Sequence, residues 1–158
     1  MQMITTKGRY AIRVMIDLAE NDQGRAIPLK DIAQRQEISK KYLEIIVKDM
    51  VSGGLIAGTS GKGGGYRLLR SAEEYSVGEI LDLMEGTLSP VACLARDVND
   101  CPRKGACKTL PLWTEYDHLV HDFFYSKKLS DLIQGKHGET NETEGRDPAD
   151  SEDGTECG

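Results

Sequence analysis

Apolar residues in the first third of the chain recur at helical spacing. Tyr10, Ala11, Val14, Met15 and Leu18 share one face of a helix running from residue 5 or 6 to about residue 20, with Thr5 or Thr6 as its cap. Ile12, Ile16 and Ala19 widen that face until only Arg9, Arg13, Asp17 and Glu20 form a polar edge. A helix this apolar is buried from two directions, so it is expected to pack on its own domain and on a later part of the chain or a partner chain. After the Asn-Asp-Gln-Gly break at 21–24, residues 27–36 predict a short helix with Pro28 at or just before its first turn. Glu37 and Ile38 turn the chain. Ser39 then caps a second helix to about residue 52, which Gly53 and Gly54 stop. Leu43, Ile46, Val47, Met50 and Val51 form its inward face, and Lys41, Glu44, Ile45 and Lys48 fall on the other side.

Two short helices joined by a tight turn, the second cationic on its outer face, form a helix-turn-helix. A plain helical hairpin with a solvated face has the same pattern. Ile45 favours the first reading, because an apolar side chain amid outward charges suits a thymine methyl better than water. The next segment favours it more strongly. Residues 55–57 and 66–69 read as strands around the glycine-rich turn at 58–65, so a hairpin wing follows the helix-turn-helix. Lys62 falls at the tip, with Arg67 and Arg70 behind it for phosphate or minor-groove contact. The turn is not a phosphate-binding P-loop, since Ile56 stands where the first glycine is needed and Gly63 where Ser or Thr is needed. Ser39, Lys40, Lys41, Tyr42, Glu44, Ile45, Lys48, Lys62 and Arg67 are the candidate DNA-binding residues.

Beyond the wing, Ser71 caps a turn, and Ser76 starts a helix that Gly86 ends, with Val77, Ile80, Leu81 and Met84 as its stripe. A cysteine-containing loop follows, then a long helix over about 111–127. Leu112, Tyr116, Leu119, Val120, Phe123 and Phe124 run along it as an apolar stripe. A stripe of this length at the end of a small domain predicts a homodimer interface, packing within the chain being the alternative. Residues 129–134 predict a further short helix, and the polar, acidic stretch from 135 is expected to be disordered. The fold class is therefore mainly α with a small β-hairpin wing. Residues 1–70 form the winged helix-turn-helix, 71–134 the cysteine loop and dimerisation helix, and 135–158 the tail.

Charge divides along the same lines. Residues 1–70 hold 12 Lys and Arg against 7 Asp and Glu, residues 71–135 hold 6 against 11, and residues 136–158 hold 2 against 8. A basic first half joined to an acidic remainder indicates that only the first half meets a polyanion, despite a whole-chain charge of -6. No signal region and no run of the ~18 apolar residues needed for a membrane span appears, which predicts a soluble cytoplasmic protein without a membrane partner. In that reducing compartment, Cys93, Cys101 and Cys107 are expected to bind metal or sense redox change rather than form disulfides. Their neighbours Arg96, Asp97, Asp100, Arg103 and Lys104 are not the apolar surroundings in which an inert cysteine usually lies. Three thiolates suit an iron-sulfur cluster, zinc or cuprous ion. Cys157, in the tail, is outside this set. No Cys-x-x-Cys, nucleotide fingerprint or Ser-His-Asp arrangement supports an enzyme.

Three motifs carry a family resemblance over roughly residues 1–134. They are Thr-Lys-Gly-Arg-Tyr-Ala at 6–11, Ile-Ser-Lys-Lys-Tyr-Leu-Glu at 38–44 and Gly-Gly-Gly-Tyr-Arg-Leu at 63–68. Together with the cysteine loop, they resemble the bacterial winged-helix regulators of the IscR, NsrR and RirA type. The resemblance implies a homodimer that binds a partly palindromic double-stranded operator, acts as a repressor and carries an iron-sulfur cluster on Cys93, Cys101 and Cys107. Lys41, Glu44 and Ile45 would then read bases, and Lys62 would reach the minor groove. The Cys-x7-Cys-x5-Cys spacing is similar to that of RirA-type members, which implies a four-iron rather than a two-iron cluster. Two positions depart from the family pattern. Leu110 stands where IscR-like proteins place a ligating histidine, and Arg9 or a neighbour where other members place an acidic ligand. Asp97, Asp100, His118 and His121 are within reach as alternatives. A zinc site or a thiol redox switch on the same cysteines is the competing expectation.

Overall fold

A computed structural model describes residues 4–135; the acidic stretch beyond them and Cys157 lie outside the described residues. In chain order the elements are α1 (Thr6–Glu20), α2 (Leu29–Gln36), α3 (Lys40–Ser52), β1 (Ile56–Thr59), β2 (Gly65–Leu68), α4 (Val77–Glu85), α5 (Leu110–Ser126) and α6 (Leu129–Ile133). Single-turn 3-10 helices at Ala92–Leu94 and Lys104–Ala106 punctuate the loop between α4 and α5. The fold is mainly helical with one antiparallel hairpin, as the pattern predicts.

Local chemistry sets the helix starts. The side chains of Thr5, Ser39 and Ser76 accept hydrogen bonds from the amides of Gly8, Tyr42 and Glu79, each satisfying one orphan donor of a first turn. Pro28 precedes α2 and needs no amide partner there. Glu85 returns from the end of α4 to accept from the Thr5 amide at 3.0 Å and its hydroxyl at 2.9 Å. A side chain at position 8 would collide with that carboxylate, so Gly8 permits the approach.

The main core gathers Val14, Met15 and Leu18 of α1 with Ile32, Leu43, Ile46 and Met50 of the helix-turn-helix and Tyr75, Ile80 and Leu129 further along. Each such fully buried aliphatic side chain contributes about 1.5–3 kcal/mol relative to exposure. Helix α1 is thus covered from two directions within its own chain, by α2 and α3 and by α4 and α6. A second cluster joins Val77, Leu81 and Leu88 to Ile12, Val120 and Phe124, and seats α5 on α4. There Gly78 lets the Tyr125 ring lie against the α4 backbone, and the Tyr125 hydroxyl donates to Asp82 at 2.5 Å.

Three expectations change. Val51 is 39% exposed, because α3 ends at Ser52 and its last turn projects past the core toward the hairpin. Asp17, read as part of a polar edge, is 1% exposed. It accepts from Arg35 Nε at 3.0 Å, Arg35 Nη2 at 2.7 Å and Gln36 Nε2 at 3.0 Å, so α2 brings its own donors to the carboxylate. The apolar stripe of α5 divides in two: Val120 and Phe124 pack within the chain, whereas Leu112, Tyr116, Leu119 and Phe123 are 58%, 38%, 62% and 56% exposed.

Candidate nucleic-acid interface and cysteine loop

Helix α3 turns Leu43, Ile46, Val47 and Met50 inward, which leaves Lys41, Glu44, Ile45 and Lys48 exposed on its opposite face. Ile45 is 53% exposed, an apolar contact held out among charges. The hairpin stands beside this face in the register Ile56 to Leu68 through Thr59 to Gly65. Its turn carries exposed Lys62 between Gly61 and Gly63, at φ 86° and 77°, conformations that side chains with a Cβ rarely adopt. The wing is also tied to the start of α2: Ile27 and Tyr66 exchange two backbone hydrogen bonds at 2.8 Å. A Cβ on Gly65 would fall 2.1 Å from the Ile27 carbonyl oxygen, so this close approach requires glycine.

Between α3 and the wing lies an open cleft of about 580 Å³, lined among others by Lys30, Lys40, Lys48, Thr59, Ser60 and Tyr66. Lysine ammonium groups and hydroxyls are the donors that phosphate oxygens take up, and this cleft is lined by both. Two of the candidates from sequence, Lys40 and Lys48, line this cleft, together with Lys30, Thr59 and Ser60, which are not among those candidates. The signal for Lys30 was available in its position in the first turn of the helix behind Pro28, which the hairpin faces.

The other candidates divide. Ser39 is exposed, but its hydroxyl is engaged as the α3 cap. Tyr42 is partly buried edge-on against Tyr10, with centroids 5.8 Å apart, and so also braces α3 on α1. Arg67 is exposed on β2. Arg70, expected behind the wing as a phosphate contact, instead pairs with Glu79 and lies over the Tyr75 ring at 4.1 Å.

Cys93, Cys101 and Cys107 are all free and partly exposed. Cys93 belongs to the first 3-10 turn, and Cys107 ends the second. The Cys101 amide donates to Asn99 Oδ1 at 3.0 Å, closing a local turn. Cys107 lies 3.4 Å from the Thr109 hydroxyl at the entrance to α5. That hydroxyl, then the Thr109 amide, the Leu110 amide and the charge of Arg103 favour the thiolate and hold the thiol below its ordinary pKa.

Among the described residues, no three His, Cys, Asp or Glu side chains are gathered as a metal-binding group. The donor set fits a thiophilic group in kind, with three uncrosslinked thiols on one loop, but the loop as described does not bring the three together. Leu110 begins α5 and offers no donor. Asp97, Asp100 and His118 are exposed, and His121 stacks on Tyr125 at 6.1 Å with Nδ1 3.0 Å from the Asp117 carbonyl. No helix among the described residues is long and apolar enough to cross a membrane.

Residues 4–135 match the family model Rrf2, iron-dependent transcriptional regulator. The chain is 35% identical over 133 residues to the HTH-type transcriptional regulator IscR of Pectobacterium carotovorum subsp. carotovorum (strain PC1), a match covering 84% of this chain and 80% of that protein. Its fold is similar to that of CymR, the global cysteine regulator of B. subtilis, with a TM-score of 0.68 and 32% identity over 85% of this chain and 98% of that one. It is likewise similar to T. potens IscR, with a TM-score of 0.64 and 26% identity over 86% and 89% of the two chains.

Proposed function

Since the chain belongs to the Rrf2 family of transcriptional regulators, we propose that it binds a double-stranded operator as a cytoplasmic homodimer and that an iron-sulfur cluster at the cysteine loop controls its affinity for that operator. That the protein is a DNA-binding transcriptional regulator rests on the family and its relatives, which are regulators and not enzymes. The cationic cleft between α3 and the wing is the observation that carries the interface. In this reading Lys30, Lys40, Lys48, Lys62 and Arg67 bind phosphates, and Lys41, Glu44 and Ile45 face the bases. Glu44 accepts a hydrogen bond from cytosine and repels phosphate, so it serves specificity more than affinity.

A second copy is the natural cover for α5. None of the 17 residues of that helix is fully buried, and four large apolar side chains project from the face away from α4. Two copies joined along that face would present two recognition helices to two half-sites. Repression, by occlusion of the bound DNA, is the sign of regulation in this reading.

Cys93, Cys101 and Cys107 would hold the cluster, which supplies a redox- and iron-dependent connection between parts of the loop. The chain's own contribution is the junction at Cys107, which passes through Thr109 directly into α5. A change in the loop therefore reaches the helix that sets dimer geometry. The four-iron form remains part of the proposal through the cysteine spacing.

A thiol redox switch without a cluster is the second reading. It is favoured by the low-lying Cys107 thiol, by the loop that does not gather its cysteines, and by the likeness to a cysteine regulator. Visible absorption of anaerobically purified protein, with iron and sulfide assays, decides between them. Visible absorption, with iron and sulfide in equal amounts, is expected. A colourless protein that responds only to thiol oxidation would transfer the function to the second reading.

A further inference from the structure

Tyr75 lies between the wing and the α5–α6 junction; it is bonded to the base of the wing and to the start of α6. It is fully buried. Its hydroxyl donates to the Leu55 carbonyl at 2.7 Å and accepts from the Leu69 and Arg70 amides at 2.9 and 3.0 Å. Leu55 enters β1, and Leu69 and Arg70 leave β2, so one phenol oxygen closes the open end of the hairpin. The same residue's carbonyl accepts from the Leu129 amide at 3.0 Å, and the neighbouring Val77 amide donates to the Lys127 carbonyl at 2.8 Å, just past the end of α5. Arg70 braces the joint, with its guanidinium over the Tyr75 ring and its charge paired with Glu79 of α4.

A two-stranded hairpin is marginally stable alone; here the Ile27–Tyr66 pair holds one side of it and the Tyr75 hydroxyl holds its base. We propose that Tyr75, braced by Arg70 and Glu79, is a positioning residue for DNA recognition, setting where the wing places Lys62 relative to α3 and making that placement follow the end of α5. The proposal rests on the reading of the wing as a DNA contact. A buried hydroxyl with three backbone partners is rigid in a way that packing alone is not, and both chain segments it joins would have to move together.

The test is a double-mutant cycle on operator DNA selected from genomic fragments with the full-length protein, using Tyr75→Phe and Lys62→Ala. Removing Lys62 should weaken binding several-fold in the otherwise unchanged chain. In the Tyr75→Phe background that loss should shrink to within about twofold of none, because the misplaced wing no longer delivers the lysine. Global destabilisation lowers the active fraction equally with and without Lys62 and leaves the loss unchanged, so it does not imitate this result. An undiminished Lys62 loss in Tyr75→Phe overturns the joint and leaves the wing contact standing. No Lys62 loss in the unchanged chain overturns the wing contact itself and the role of Tyr75 with it. If Tyr75→Phe shows no cooperative thermal transition, Glu79→Gln, which frees Arg70 from α4 and keeps the phenol, carries the same cycle. The Lys62 loss should then fall at least by half, and an unaltered loss overturns the proposal.

Discussion

Replacing Lys62 by alanine tests the cleft as a phosphate-binding surface. Lys62 is exposed at the turn of the wing and forms no ion pair among the described residues, so its removal leaves no buried charge behind. The effect should therefore be almost wholly that of a lost phosphate contact. Each neutralised phosphate contributes about -0.9 to the slope of log affinity against log salt on duplex DNA. One contact per protomer in a two-protomer complex makes the slope of Lys62→Ala shallower by about 1.8. Between 50 and 200 mM salt, wild-type affinity should then fall about 12-fold further than that of the variant, so the deficit at 200 mM should be about 12-fold smaller than at 50 mM. Fluorescence anisotropy with a labelled operator and an unrelated duplex, at four or five salt concentrations, measures both slopes. The variant should lose affinity for both DNAs alike. Parallel salt lines for variant and wild type would refute the phosphate contact, and a loss confined to the operator would make Lys62 a base-reading residue instead.

Three further outcomes follow from the same geometry. Glu44→Ala should change relative affinity among operators differing at one base pair by about fivefold or more while barely moving binding to unrelated DNA, as read by competition binding; a uniform loss would remove its specificity role. Asp17→Ala should cost about 3 kcal/mol in urea unfolding, the low end for a broken buried pair because Arg35 still reaches water; a cost below about 1 kcal/mol would mean the pair is screened as at a surface. The Tyr125 phenol, which donates to Asp82 and loses part of its hydration against α4, is pushed up to about 12. Since its folded value lies above the ordinary value of about 10, its stabilising effect is intact below pH ~10 and is lost as pH rises through about 12. Ultraviolet titration of tyrosinate should show a late-titrating phenol that Asp82→Asn brings back toward 10, and an unchanged profile in that variant would contradict the assignment.

What could be read from the sequence depended on how local the cause was. Thr5, Ser39 and Ser76 announce helix starts because a cap bonds only three residues ahead. The exposed face of α3 follows from one period repeated over 13 residues. Asp17 was misplaced because its partners, Arg35 and Gln36, lie 18 and 19 residues on, and periodicity does not say which polar edge another helix will cover. Arg70 reads as a DNA contact for the same reason: charge and position near the wing match that role, but Glu79 and Tyr75 take up the side chain first. The stripe of α5 mixed two faces, because Val120 and Phe124 lie one residue past Leu119 and Phe123 and only the position of α4 separates them. The cysteines were found by composition and spacing, but residues 93–107 contain only single turns, and nothing periodic fixes how such a loop arranges its thiols.

Whether the cysteine loop governs DNA binding is decided by operator affinity in two states of one preparation. Anaerobically purified protein should bind the selected operator with an affinity that changes about 5- to 150-fold when iron is removed by chelation or the loop is oxidised. The Cys93→Ser, Cys101→Ser, Cys107→Ser triple variant should bind with the same affinity before and after both treatments. A wild-type affinity indifferent to both treatments, or a triple variant that responds as wild type does, would contradict the account.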